Sequence, residues 1–355
     1  MKKTAYVQIT PSYPPVIGGV ADYAKVIGRH FHDLGIDFGV VSAEVGLNQP
    51  EPHVFRIKEK KGAALAALIS DADTILLHFS GYGYAARGLC RWLVAGLDQW
   101  KRADRSRRLV TLFHEVYATG PVWRSSFWTA PAQRRIARDL ACMSESVFVT
   151  SVEGYRKIQT FGSKSAVEIL PVFSNVGEPN RVSPYQARPR VATVFGGGAT
   201  RRIFYDKCRR FSADITADLD HAEVDCIQDV GPSGIDVPAT LFGRPVKKLG
   251  ALPVRQLTQA LMDSRIGLIH YEADAITKSG TYAAYCAHGV IAINSAIKAP
   301  PDVYKAGFAF APGTLAKADN LAGWPSIIHR NYGARDGNST ALRLAQALAN
   351  DANLF

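Results

Sequence analysis

The chain has 355 residues, 47% of them hydrophobic and 21% charged. This composition excludes a disordered protein, and the length makes two domains the expectation rather than one small core. No uninterrupted apolar run approaches the ~20 residues of a membrane span. Net charge is +11, and residues 84–138 hold 11 basic and 3 acidic side chains. A basic surface of that kind suits polyanions, anionic lipid headgroups or phosphorylated substrates.

The start, Met1-Lys2-Lys3-Thr4, leads directly into an alternating strand, Ala5–Thr10. That apolar run is too short and too strand-like for a signal peptide. The five cysteines (Cys90, Cys142, Cys208, Cys226, Cys286) are scattered, and no two form a C-x-x-C pair. They read as reduced thiols in a cytosolic protein, with no zinc site and no disulfide framework.

Further strands are expected at 37–42, 74–79, 109–114, 146–150 and 167–170. Helices are expected between them at 19–34, 62–70, 84–101, 131–142 and 152–160. Apolar, β-branched runs alternating with helix-period stretches predict a mostly parallel sheet covered on both faces. Val176–Arg190, VGEPNRVSPYQARPR, holds three prolines and few large apolar residues, and reads as a linker. The alternation then restarts, with strands at 191–195, 223–227, 239–242, 266–270 and 290–293 and a helix at 254–263. A long irregular piece, 298–337, precedes a closing helix at 339–349. The fold class is therefore α/β, with two doubly wound Rossmann-like domains facing across a cleft. The expected divisions are 1–175, a linker at 176–190, 191–325, and a tail with a helix at 326–355.

Five stretches carry chemistry. Gly18-Gly19-Val20 lies at a strand-to-helix passage, where glycine lets a ligand approach the backbone, although the dinucleotide spacing is missing and a simple turn fits as well. His114-Glu115 ends a strand at its carboxyl end, where α/β sites open. A neutral imidazole there can hold a sugar hydroxyl and the carboxylate can take a proton; a satisfied strand-end histidine is the plainer reading. Trp123-Arg124-Ser125-Ser126-Phe127-Trp128, followed by Arg134, Arg135 and Arg138, is a basic-aromatic stretch, with Tyr82, Tyr84, Arg87, Arg91 and Trp92 adding to it. It suits a bilayer interface or a half-buried helix with a solvated face. No DNA- or RNA-binding signature accompanies it, so nucleic acid is not expected.

Gly196-Gly197-Gly198-Ala199-Thr200 follows the first strand of the second half, with Arg201, Arg202 and Lys207 next. Glycine amides and nearby cations suit an anion seat, with a solvated basic helix start as the plainer alternative, while the missing GK[ST] ending argues against a P-loop. Tyr271–Asn294, YEADAITKSGTYAAYCAHGVIAIN, reads as strand end, loop, helix and next strand. Ser279, Gly280 and Thr281 fall where the helix begins, so unpaired amides and the helix dipole can receive a pyrophosphate; plain βαβ punctuation with no ligand fits this segment as well. No D-x-D follows a strand and no G-x-S-x-G elbow occurs, so no metal or cofactor is expected.

In order and spacing these pieces resemble the GT-B glycosyltransferases, specifically the large retaining group that includes glycogen synthase and bacterial polysaccharide and lipid-linked sugar transferases. The resemblance spans nearly the whole chain. It implies a metal-independent enzyme that moves a sugar from a nucleotide diphosphate sugar to a hydroxyl, on a saccharide or lipid-linked acceptor. Polysaccharide or glycolipid biosynthesis at the inner face of the plasma membrane is the implied setting, with peripheral membrane contact through Trp123, Arg124, Trp128, Arg134 and Arg135. By the same resemblance the N-terminal domain takes the acceptor and the C-terminal domain the donor. Gly18 and Gly19 approach the donor phosphates, and His114 contacts the donor sugar. Arg201 and Lys207 neutralise the leaving diphosphate. Ser279, Gly280 and Thr281 fall where the family's phosphate-binding helix begins. On their own chemistry, Gly197 and Gly198 are expected beside the phosphates and Glu115 is a candidate for contacting the acceptor.

The pattern departs from the family at one place. Two glutamates eight positions apart are usual; here Glu272 fits the first, but position 280 is glycine, and Tyr282-Ala283-Ala284 faces the ribose. A sugar-nucleotide epimerase shares the architecture and would need no acceptor. A non-catalytic saccharide or nucleotide binder fits the missing glutamate.

Overall fold

The computed structural model describes residues 6–16, 18–45, 53–163, 165–297 and 309–349. Ala5 of the expected first strand and 298–308 of the expected irregular piece lie outside them. The chain divides into two compact units, Met1–Pro171 with Gly337–Phe355, and Val172–Asp336.

The first unit runs β1 (Tyr6–Tyr13), α1 (Gly19–Asp33), β2 (Phe38–Val45), β3 (Val54–Arg56), α2 (Gly62–Leu68), β4 (Thr74–Phe79), α3 (Gly81–Tyr84), α4 (Arg91–Ala103), β5 (Arg108–Phe113), α5 (Ser125–Met143), β6 (Ser146–Val149), α6 (Val152–Gln159) and β7 (Val167–Ile169). The strands form one sheet in the order β3-β2-β1-β4-β5-β6-β7, with every pairing parallel. All six residues of β4 are buried, as helices on both faces of a parallel sheet require. In α1, Ala24, Ile27 and Phe31 repeat at intervals of three and four and lie wholly inside.

Two expected helix boundaries are corrected. The helix expected at 84–101 is broken, because Arg87 (φ 57°) and Gly88 (φ 70°) turn left-handed between α3 and α4. Gln133 of α5 holds the break: its Nε2 donates to the Arg87 carbonyl at 2.8 Å, and its Oε1 accepts from Ala118 N at 2.9 Å. The second, α5, starts at Ser125 rather than Pro131; the proline lies inside the helix and removes one donor without ending it.

The second unit runs β8 (Val191–Phe195), α7 (Gly198–Lys207), α8 (Ser212–His221), β9 (Cys226–Val230), β10 (Thr240–Leu241), β11 (Arg244–Gly250), α9 (Val254–Met262), β12 (Ile266–Ile269), α10 (Gly280–Ala287), β13 (Ile291–Asn294), β14 (Ala309–Phe310) and α11 (Trp324–Tyr332). Its sheet has the order β10-β11-β9-β8-β12-β13-β14, parallel except for the β10–β11 edge pair. Strand β11 was missed because its charged RPVKKLG hides the alternation expected of a strand.

The expected linker is not a free tether. Tyr185 is buried, its hydroxyl donating to the Ala222 carbonyl at 2.9 Å. Arg188 is also buried and donates to the carbonyls of Ser264 (2.7 Å) and His288 (2.8 Å), so 176–190 is built into the second unit. The tail divides as well: α11 belongs to the second unit, while the last helix, α12 (Gly337–Ala349), packs against α1, β4 and β5 of the first.

Candidate functional site

Each sheet reverses its winding at one place, between β1 and β4 in the first unit and between β8 and β12 in the second. Ligands of open α/β sheets bind beyond the carboxyl ends of the strands at such points. Gly18, Gly19, His114 and Glu115 of the first unit, and Gly197, Gly198, Glu272, Ser279, Gly280 and Thr281 of the second, follow strands at these carboxyl ends, whereas Trp123, Arg124, Trp128, Arg134 and Arg135 lie before and along α5.

In the second unit, β8 runs through Gly196 (φ 140°) and Gly197 into α7. A Cβ on Gly196 would stand 2.9 Å from Thr281 Oγ1 and 3.4 Å from the Thr200 side chain. Glycine therefore lets the starts of α7 and α10 meet, and Thr200 and Thr281 flank one point. Ser279 caps α10, its Oγ accepting from Tyr282 N at 3.2 Å. A Cβ on Gly280 would lie 3.6 Å from Asn175 Oδ1. Gly197 opens onto empty space, and Gly198 sits under Ile235.

Beyond β12, His270 and Tyr271 are held from β13. Asn294 Oδ1 accepts from Tyr271 N at 2.9 Å, its Nδ2 donates to the Tyr271 carbonyl at 2.7 Å, and His270 Nδ1 meets Ser295 Oγ at 2.9 Å. Burial holds His270 below its ordinary pKa, with Glu272 opposing and Lys207 adding to the shift. Lys207, Glu272 and His270 thus share one electrostatic neighbourhood, and Lys207 and Glu272 are both exposed.

Arg201 is corrected from the role expected of it. It is 1% exposed and pairs with Asp229, Nη1 to Oδ1 at 2.5 Å. Nε donates to the Gly196 carbonyl at 3.0 Å and Nη2 to the Pro232 carbonyl. Its charge is neutralised inside the unit, where it braces the glycine turn from beneath. Arg202, the next residue, is exposed instead. Tyr282-Ala283-Ala284 is likewise corrected: all three are buried, with the Arg335 guanidinium 5.2 Å from the Tyr282 ring, so they do not face an open site.

In the first unit, Gly18 precedes α1, whose first turn has no side-chain cap. A Cβ on Gly18 would approach only Ser12 Oγ, at 3.9 Å, and one on Gly19 nothing within 4 Å. His114 follows β5 and is half-buried; Glu115 beside it is exposed. Tyr23 of α1 sets its ring edge-on to His114, centroids 5.0 Å apart, which ties the start of α1 to the end of β5. Behind His114 stand two residues that sequence reasoning missed: His78 Nδ1 lies 3.2 Å from His114 Nε2, and His78 Nε2 lies 3.0 Å from Gln8 Oε1. Burial pushes His114 down to about 3 and, with His114 as a second cause, lowers His78 well below its ordinary value. The signals were present, since Gln8 and His78 are polar residues inside apolar strand runs, but nothing in the spacing joins them.

The aromatic stretch opens α5. Trp123 and Trp128 are 81% and 73% exposed, and Phe127 and Val122 are also outside. The Trp128 indole donates to the Val122 carbonyl at 2.9 Å, which fixes its ring outward. Arg134, Arg135 and Arg138 line a hollow further along the helix with Asp139 and Thr160. Other cations of the 84–138 run are spent internally, Arg107 on the carbonyls of Trp100 and Ser70, and Arg108 on that of Ala347. Among the described residues no group of three or more His, Cys, Asp or Glu is placed to hold a metal ion, and no helix is long and apolar enough to cross a membrane.

The pair of doubly wound parallel sheets is the GT-B fold. It aligns over 97% of this chain with an E. coli structure described as trehalose-6-phosphate bound with UDP-2-fluoro glucose, covering 99% of that chain (TM-score 0.60, 11% identity). WaaG, a glycosyltransferase involved in lipopolysaccharide biosynthesis, aligns over 97% of this chain and 99% of its own (TM-score 0.59, 11% identity). A UDP-forming α,α-trehalose-phosphate synthase from Burkholderia xenovorans aligns over 99% and 100% (TM-score 0.59, 11% identity). No protein-family model matches the sequence, and no curated protein matches it. At this identity the likeness is one of fold.

Proposed function

We propose that the protein is a GT-B glycosyltransferase that moves a sugar from a nucleotide diphosphate sugar to a hydroxyl acceptor. The observation that carries the reading is the meeting of the α7 and α10 starts at Gly196 and Thr281, with Lys207 near His270 beyond β12. The uncapped amides of α7 and the hydroxyls of Thr200 and Thr281 are suited to diphosphate oxygens. Lys207, with Arg202 in place of Arg201, would supply the charge that stabilises the departing diphosphate. That set needs no metal or cofactor to neutralise the leaving group. Glu272 would serve the ribose, and His114 the donor sugar. Gly18 and Gly19 would admit the phosphates close to the first unit's backbone, and Glu115 would face the acceptor. Support also comes from the fold neighbours, among which are a UDP-forming synthase and a lipopolysaccharide glycosyltransferase.

The acceptor we infer is a saccharide or lipid-linked precursor in polysaccharide or glycolipid biosynthesis, met by a cytoplasmic protein at a membrane surface. Exposed Trp123 and Trp128 with Arg124, Arg134 and Arg135 support this, because tryptophan partitions to the bilayer interface while arginine pairs with phosphate.

A thermal-shift screen of UDP-, GDP-, ADP-, CMP- and TDP-sugars tests the reading. Ligand bound only by the native state raises Tm, so one nucleotide class should raise it selectively. No rise with any of them sinks the proposal. Glycine at 280 favours a second reading, nucleotide-sugar binding without turnover; a Tm rise with no transfer across an acceptor panel would establish it.

A further inference from the structure

The polar chain behind His114 has a direction that can be worked out atom by atom. Gln8 Oε1 carries no proton, so His78 Nε2, 3.0 Å away, is the donor. A neutral imidazole has one N–H, so His78 Nδ1 is an acceptor. Its contact with His114 Nε2 at 3.2 Å then places the His114 proton on Nε2 and leaves Nδ1 with only its lone pair. We propose that Gln8 and His78 are positioning residues that fix His114 in this tautomer, so that the ring receives a hydrogen-bond donor such as a sugar hydroxyl and rejects a phosphate or carboxylate.

The sheet register builds the relay. Gln8 pairs with Leu76, and His78 with Leu112. His78 and His114 each lie two residues further on, and residues two apart share a face, so all three side chains stand on one side of β1, β4 and β5. Gln8 is 1% exposed and His78 0%, so water does not compete for the bond between them. Helix α1 closes over it: the Tyr23 ring lies 5.0 Å from His114 and 5.8 Å from His78, and a Cβ on Gly28 would come within 3.2 Å of Gln8 Nε2. Burial keeps both imidazoles neutral, as a one-proton relay requires.

The choice of a sugar hydroxyl as ligand rests on the glycosyltransferase reading; the tautomer does not. The test is long-range 1H–15N correlation on the full-length protein labelled at histidine, with assignment by His78→Gln and His114→Gln. The expected spectrum has His78 and His114 both protonated at Nε2 only. A proton on His114 Nδ1 would mean that the Gln8 amide is turned to offer Nε2–H, and would overturn the relay. So would an even tautomer mixture in the unsubstituted protein. Gln8→Leu, which conserves volume, should convert the His114 signals to a mixture; an unchanged His114 tautomer in that variant also overturns the relay. Adding each nucleotide sugar, and its nucleotide diphosphate alone, tests the ligand. His114 Nδ1 should shift with a sugar-bearing ligand and not with the diphosphate. A shift with the diphosphate alone, or with none of them, refutes hydroxyl selection while leaving the relay standing.

Discussion

Arg201 and Lys207 lie on one helix and carry the same charge, yet their surroundings assign them opposite work. Lys207 is exposed, so Lys207→Ala should leave Tm nearly unchanged, as surface substitutions stay within about 0.5 kcal/mol, while turnover falls on the order of 10²–10³-fold. Arg201→Ala would leave the buried Asp229 carboxylate without its cation, held only by the Tyr205 hydroxyl, and should cost about 3–5 kcal/mol of stability. Denaturant melts of both variants beside their transfer rates check the contrast; equal loss of stability in the two would make Lys207 structural. His114 adds a pH effect. Its pKa falls from the ordinary histidine value to about 3 on folding, so between those values the unfolded chain binds more protons. Its contribution to stability is complete above the unfolded pKa and is lost as pH falls towards 3. Tm of the wild type should therefore drop on acidification below about pH 6.5, and less steeply in His114→Gln. An identical slope in the variant would remove His114 as a source of acid sensitivity.

At the scale of elements, the glycine turn after β8 decides whether two helix starts can share a ligand. Gly196 has φ 140°, and a Cβ there would press to 2.9 Å from Thr281 Oγ1. Gly196→Ala should cost about 1–3 kcal/mol through the left-handed backbone and weaken the Tm rise given by the selected nucleotide sugar. Retention of the full rise would show that the Thr200–Thr281 point is not the phosphate seat. The strand–helix alternation was legible at this scale because buried parallel strands such as TILLHF are unbroken apolar runs. The break at Arg87 and Gly88 was not, because Gln133, forty-five residues beyond Gly88, imposes it. Strand β11 was illegible for a different reason: its backbone pairing with β9, and not an apolar period, makes RPVKKLG a strand.

For the whole molecule, the C-terminal helix is the test of the division. Ala341, Leu344, Ala345 and Leu348 of α12 are buried, and Arg343 pairs with Glu168 of β7. Deleting residues 337–355 removes apolar burial worth on the order of 5 kcal/mol from the first unit alone. Hydrogen exchange should show protection collapsing in β1, β4 and β5 while β8, β12 and β13 keep theirs; equal loss in both sheets would refute the division. The exposed aromatics give a second prediction. Binding to anionic vesicles should fall at least about tenfold in Trp123→Ser/Trp128→Ser, because two interfacial side chains are lost, and should weaken with salt in the wild type. Undiminished binding by the double variant would remove this surface as the membrane contact.

By itself the sequence determined the two sheets, the glycine turns after β1 and β8, and the helix start at Ser279. These follow from local rules: β-branched apolar runs pair as strands, and glycine admits a close backbone approach or a positive φ at the least steric cost. Tertiary structure alone decided which polar residues are spent and which remain available. Arg201 has a buried partner in Asp229, Arg188 is consumed by carbonyls far along the chain, and Gln8 and His78 stand behind His114. A charge or a tautomer is set by whatever group lies within about three ångströms, and in this chain that group comes from another strand or loop, at separations no local pattern encodes.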